Sequence, residues 1–145
     1  MYDMAIVGAG IVGLAHALVA SRLGKSVIVL DRDARAVGAS IRNFGFVTIT
    51  GQRRGGTWRR AMRSRRIWEE VAAEASIPIE HRGLLVVGRR PECAPILAAF
   101  LATEMGEGCA LLNADDARAR FPQIRPAELA CALWSPHELR VESRD

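Results

Sequence analysis

Apolar residues fall in short runs along this chain, and their spacing changes from one stretch to the next. Met4-Ala5-Ile6-Val7 is a continuous apolar run too short for a helix, and it predicts a strand. A helical pattern runs from near Gly10 to about Leu23, where Gly24 breaks it. Val27-Ile28-Val29-Leu30 predicts a second strand, which ends in Asp31. Residues 32–56 have no clear period and predict a long connection, a kind of loop that usually carries function. From Thr57 to Ala75 the residues Trp58, Ala61, Met62, Trp68, Val71, Ala72 and Ala75 recur at helical spacing. Ile77-Pro78 is expected to end that helix, because proline disfavours helix in the residue before it. Leu84-Leu85-Val86-Val87, within Arg82–Gly88, predicts a strand, and Pro91 to about Met105 a helix. Ala110-Leu111-Leu112 predicts a short strand, Asp115 to Arg120 a helix closed by Phe121-Pro122, and Leu129 to Trp134 a further strand.

Between the first strand and the first helix stands Gly8-Ala9-Gly10-Ile11-Val12-Gly13. Strand, glycine turn, helix, strand and acid is the order a dinucleotide site requires. Gly8 allows a tight turn out of the strand, Gly10 leaves room for backbone to approach a pyrophosphate, and Gly13 lets helix pack on strand. The helix directs its positive dipole end and free N–H groups at the phosphates. Asp31 lies where a carboxylate accepts hydrogen bonds from ribose hydroxyls. An acid there disfavours NADP, although Arg32 beside it is a cation that suits the extra phosphate.

Composition adds exclusions. The chain has 145 residues, half of them hydrophobic and 25% charged, which suits one domain with a real core. No apolar stretch reaches the length of a membrane span, though peripheral membrane association stays open. No basic leader precedes the first strand, so the expected location is the cytoplasm. Cys93, Cys109 and Cys131 are widely spaced and form no CxxC, which argues against a zinc site or a disulfide framework. His16, His81 and His137 have no metal-ligand spacing, and no metal is expected. The net charge is +4, and seven arginines fall between Arg53 and Arg66. Arg59, Arg60, Arg63 and Arg66 largely occupy the polar positions of the helix from Thr57, with Glu69, Glu70 and Glu74 after them. That pattern is a solvated helix face, and nucleic-acid binding is not expected.

A dinucleotide-binding sheet normally has further parallel strands beside the first two. After Asp31 no stretch clearly returns to that sheet, and the later strands read as a different layer. The second strand is then expected at or near an open edge. The chain is therefore expected to be the N-terminal part of a longer protein, or a truncated relative of one, with a C-terminal remainder needed to complete the fold.

A second cluster, Gly38-Ala39-Ser40-Ile41-Arg42-Asn43-Phe44-Gly45, completes a recognisable set. With the glycine turn and Asp31, it resembles the FAD-dependent oxidoreductases of the D-amino-acid oxidase, glycine oxidase and sarcosine oxidase superfamily. In that family a stretch shaped like Gly-Ala-Ser-x-x-Asn-x-Gly runs beside the pyrophosphate and flavin. The resemblance covers essentially the whole chain, most specifically residues 4–45. Leu139-Arg140-Val141 with Arg144 looks like the segment preceding the family's return to its FAD domain. Ser40 to Gly45 looks most like a bacterial clade proposed to oxidise aminophosphonates.

The resemblance implies an α/β fold class: an N-terminal Rossmann-type FAD-binding βαβ unit followed by the start of an α+β substrate domain, an incomplete fold. Residues 1–56 would form the FAD-binding unit and flavin-side loop, 57–79 a connecting helix, and 80–145 the start of the substrate domain. The implied cofactor is FAD. Its contacts would come from Gly8, Ala9, Gly10, Ile11, Val12, Gly13, Asp31, Arg32, Ala39, Ser40, Arg42, Asn43, Phe44 and Gly45. Ser40 and Asn43 read as donors to FAD, and Arg42 as a positive charge near the pyrophosphate or an anionic substrate, or equally as a surface arginine. The implied reaction oxidises a carbon–nitrogen bond of a small amine by hydride transfer to flavin, with no protein nucleophile or metal. Two alternatives stand beside it: a non-catalytic FAD-binding fragment and an NAD-dependent dehydrogenase. No catalytic residue can be named within residues 1–145.

Overall fold

A computed structural model describes residues 1–124 and 129–142. It contains two compact units, Met1–Gly45 and Phe46–Glu142. Arg144, expected to mark a return to the cofactor domain, lies outside the described residues.

In the first unit, strand β1 (Met4–Val7) leads through the glycine turn to helix α1 (Ile11–Arg22) and strand β2 (Val27–Leu30). β1 and β2 pair in parallel, Met4 with Val27 through Val7 with Leu30. Parallel strands need a crossover, and α1 supplies it. The helix stops because Gly24 adopts φ +74, so that Lys25 N–H reaches the Ala20 carbonyl at 3.0 Å and Gly24 N–H the Ser21 carbonyl at 2.9 Å. These two bonds cap the last turn in the pattern glycine permits. The far ends of the strands are clamped by Asp3, whose Oδ2 accepts from Ser26 N at 2.8 Å and Ser26 Oγ at 2.7 Å.

No third strand joins this pair among the described residues. The unit has little core of its own, since Ala20 is its one buried hydrophobic side chain. Val7 is 87% exposed, Leu23 72% and Val12 69%. Strands and a helix so apolar on their outer faces belong to a sheet with helices on both sides. Among the described residues β2 pairs with β1 alone, which leaves the open edge expected there.

The second unit is built on strand β6 (Cys131–Val141). Along one side runs β4 (Ile79–Gly88); along the other lie β5 (Ala110–Leu112), opposite residues 132–134, and β3 (Phe46–Val47), opposite residues 139–140. All three pair with β6 in the antiparallel sense. Helices α2 (Gly56–Glu74), α3 (Cys93–Leu101) and α4 (Ala114–Arg120) connect the strands. Ala117, Leu129 and Ala132 form the buried cluster, with Leu85, Leu112, Ala114 and Ile124 packed on it. Glu69 joins α2 to the sheet by accepting from Arg82 of β4 at 2.6 Å.

Helix α2 ends at Glu74, within one residue of the expected Ala75, and Ser76 beyond it has φ +56, which lets Ile77 N–H reach the Ala72 carbonyl at 2.9 Å. Two other expectations change. Helix α3 stops at Leu101, with a separate short turn at Glu104–Gly106. The last strand continues to Val141, well past Trp134. The two compact units divide between residues 45 and 46, and Phe46–Val47 pairs with β6.

The irregular part of β6 explains why its length was hidden. Leu84 pairs with Ser135 and Arg82 with Leu139, so Gly83 alone faces Pro136, His137 and Glu138. Pro136 has no N–H to donate and is tolerated at such a bulge. Gly83 has φ +85, and a Cβ there would lie 2.2 Å from the Trp134 ring. Gly83→Ala therefore meets both a strained backbone and an aromatic ring. It should lower the stability of the intact protein by about 2–3 kcal/mol, read as a shifted denaturant midpoint. An unchanged midpoint would contradict the packing assigned to Trp134.

Candidate functional site

The C-terminal ends of β1 and β2 open into a cavity of about 300 Å³. It is lined by Ala9, Gly10, Asp31 through Gly38, and Ser40. Ligands of open α/β sheets bind in the crevice outside these strand ends.

Each glycine of the turn has a distinct reason to be there. Gly8 has φ +105, a conformation that side chains resist. A Cβ on Gly13 would lie 1.9 Å from the Gly8 carbonyl oxygen, so only glycine lets α1 sit this close to β1. A Cβ on Gly10 would lie 3.1 Å from Ser40 Oγ, and both residues line the cavity.

Two side chains brace the turn. Asp31 Oδ2 accepts from Ala9 N at 2.6 Å, and Asp31 Oδ1 accepts from Asp33 N at 3.0 Å. These backbone donors, Asp33 first and Ala9 second, hold the Asp31 carboxyl below its ordinary value. Ser40 Oγ accepts from Ile11 N at 2.9 Å and so caps the first turn of α1, where Gly10 has no side chain to do it. The expectation of free N–H groups facing the phosphates changes here, since Ala9 and Ile11 donate to these two side chains.

Asn43 stitches the loop together. Its Nδ2 donates to the carbonyls of Ala39 at 3.2 Å and Ser40 at 2.8 Å, and its Oδ1 accepts from Gly45 N at 2.7 Å. Gly45 adopts φ +69. The structure thus brings Ala9, Gly10, Asp31, Arg32 and Ser40 together around the cavity. Gly8 and Gly13 shape it from behind. Ile11, Val12, Ala39, Arg42, Asn43, Phe44 and Gly45 are not among its lining residues. Asp33, Ala34, Arg35, Ala36 and Val37 line it and were not singled out in the sequence. Their one signal was position, directly after the acid at the strand tip. Arg32 and Arg35 add positive charge to the wall, and Arg32 Nε lies 3.3 Å from Asp33 Oδ2. Among the described residues no cluster of three metal-ligating side chains occurs, and no helix is long and apolar enough to cross a membrane.

The model of the FAD dependent oxidoreductase family, DAO, matches residues 3–145. The chain belongs to this family. Solved structures with the same fold include glycine oxidase from Bacillus cereus, at 20% identity and TM-score 0.79 over 99% of this chain and 41% of that one. L-proline dehydrogenase from P. horikoshii matches at 21% identity and TM-score 0.80, over 98% of this chain and 38% of that one. Reduced L-α-glycerophosphate oxidase from Mycoplasma pneumoniae, with FAD bound, matches at 18% identity and TM-score 0.77, over 98% and 39%. No curated protein matches the chain. At these identities the likeness is one of fold, and this chain spans about two-fifths of the length of those proteins. The DAO family is FAD-dependent, and the residues here fit a dinucleotide: two glycines where side chains would intrude, a helix N-terminus, and a carboxylate at the second strand's tip.

The Asp31 brace has a pH signature. A carboxyl held low in the folded state stabilises that state above its unfolded value, and the contribution disappears as pH falls through the folded value. The stability advantage of the wild type over Asp31→Asn should therefore be full near neutrality and vanish below the ordinary carboxylate range of about 4. Thermal midpoints of both proteins across that range measure it. A difference that stays constant would remove the brace.

Proposed function

We propose that residues 1–45 hold the ADP half of FAD and that the whole protein oxidises a carbon–nitrogen bond of a small amine or amino acid. The observation carrying this reading is the cavity at the ends of β1 and β2, with Gly10 and Asp31 both on its wall. Bound FAD supplies the hydride acceptor that no side chain can provide.

The protein's own residues bind and orient. Gly10 leaves the space that a pyrophosphate needs. The N-terminus of α1 places positive potential there. Asp31 exchanges part of its hydrogen bonding to Ala9 and Asp33 for ribose hydroxyls. Arg32 and Arg35 stand on the same wall for the phosphates. Ser40 keeps the first turn of α1 in place from the neighbouring loop, and Asn43 keeps that loop folded. Arg42, Phe44 and Gly45 belong to the flavin-side stretch in this reading, by the resemblance of residues 38–45. Substrate recognition rests on the rest of the protein. Aminophosphonates are the narrower substrate class to try first, on the same resemblance.

A visible spectrum of the purified intact protein tests the reading. A flavin band that bleaches anaerobically with an amine, amino acid or aminophosphonate supports it. Bleaching by L-α-glycerophosphate alone would overturn the carbon–nitrogen assignment. A colourless protein whose fluorescence is quenched by a nicotinamide dinucleotide would establish the dehydrogenase alternative. The isolated 145-residue chain provides the third comparison, since a colourless, aggregating product identifies it as a non-catalytic fragment.

Two substitutions follow. Gly10→Val should abolish flavin retention, because its side chain enters the space beside Ser40. Normal flavin stoichiometry in that variant would refute the role of Gly10. Asp31→Ala should weaken FAD binding, measured as a raised dissociation constant; an unchanged constant would count against the ribose contact.

A further inference from the structure

Cys93 and Cys131 are 38 positions apart in the sequence and meet at one point in the second unit. Cys131 is the first residue of β6 and pairs with Gly88, the last residue of β4. Cys93 is the first residue of α3, just after the turn that leaves Gly88. A Cβ on Gly88 would lie 2.6 Å from Cys131 Sγ and 2.9 Å from Cys93 Cβ. Both cysteines therefore converge on the space that Gly88 leaves empty. Through that point Cys131 Sγ lies within about 5.5 Å of Cys93 Cβ, and rotation about χ1 swings the Cys93 sulfur on the side of Gly88.

The two thiols differ in access. Cys93 is partly exposed and Cys131 is buried. Burial, and then the nearness of Cys93, pushes the Cys131 thiol up. Cys109 stands apart, with its Sγ 3.9 Å from the Met105 carbonyl oxygen. An accessible thiol beside a protected one is the arrangement of an oxidisable cysteine and its resolving partner.

We propose that Cys93 and Cys131 form a reversible, peroxide-driven disulfide that staples the first turn of α3 to the β4–β6 ladder. The oxidant is hydrogen peroxide or an equivalent hydroperoxide. The Cys93 thiolate attacks a peroxide oxygen, the O–O bond breaks, and Cys93 becomes a sulfenic acid while the departing hydroxide takes up a proton to give water. Cys131 Sγ then attacks the Cys93 sulfur, the S–O bond breaks, and a second water leaves with the Cys131 proton. Two thiols have lost two electrons and two protons, and one peroxide has become two waters. A small thiol reductant reverses the bond by exchange.

The inference does not depend on the flavin reading, and its test does not measure activity. The intact protein is treated with hydrogen peroxide, its remaining thiols are alkylated, and the digest is mapped by mass spectrometry. The expected result is a linked peptide pair containing Cys93 and Cys131, absent without peroxide and lost after dithiothreitol, with Cys109 alkylated throughout. Cys131→Ser should stop the reaction at a Cys93 sulfenic acid that dimedone traps, and Cys93→Ser should leave Cys131 reduced. Recovery of Cys93 and Cys131 both alkylated, or either one linked to Cys109, would overturn the proposal. The wild-type map decides the matter even if the buried Cys131→Ser variant folds poorly.

Discussion

Gly13 of α1 packs directly on the carbonyl of Gly8. No side chain fits between them, since even a methyl group would lie 1.9 Å from that oxygen. This contact sets how near the helix lies to the strand. It thereby sets where the helix N-terminus points and how wide the crevice beside Asp31 is. Asp31 and Ser40 then act on a turn already placed. One accepts from Ala9 N–H, the other from Ile11 N–H, and both come from segments that follow the helix. The turn is therefore held from outside itself, by the strand tip and by the loop beyond it. Preorganisation of this kind lowers the ordering cost of binding a ligand.

The first unit was legible in the sequence because everything that defines it is local. Its strand, turn, helix and second strand lie within about thirty residues, and each boundary has a glycine or an acid. The order α1 to β2 and the open edge followed from apolar runs alone. The bracing bonds were not legible. Ser40 capping Ile11 links residues 29 apart, and a serine in a loop gives no sign of which helix it will reach. The cavity wall from Asp33 to Val37 was missed for a related reason, because it lies there by following Asp31 and carries no motif of its own.

The second unit was only partly legible. Strand β6 reads as apolar up to Trp134, and then Ser135-Pro136-His137-Glu138 breaks the apolar run. It is instead a bulged stretch of strand in which Ser135 and Glu138 are buried. Glu138 earns its place by chemistry that periodicity cannot report. Its Oε1 accepts from Thr50 N at 2.5 Å and Ile49 N at 3.3 Å, just past the end of β3. A carboxylate thus continues a ladder where the backbone of β3 has stopped. Two-residue β3 itself was too short for any pattern. The end of α2 was legible to within one residue, although the left-handed Ser76 that turns the chain out of it was not, because serine rarely adopts that conformation.

The sheet of the second unit has a single hub. Strands β3, β4 and β5 each pair with β6, and among the described residues they do not pair with one another. Phe46 finds its partner only at Arg140. During synthesis the first unit can close its parallel pair once Leu30 has emerged. The second has three strands and no ladder until β6 follows them out. Such distant pairing slows folding, because long loops must close before any contact rewards them. It also leaves apolar strand edges uncovered for as long as β6 is missing. A chain stopped before residue 131 therefore has the strands of the second sheet without the sheet.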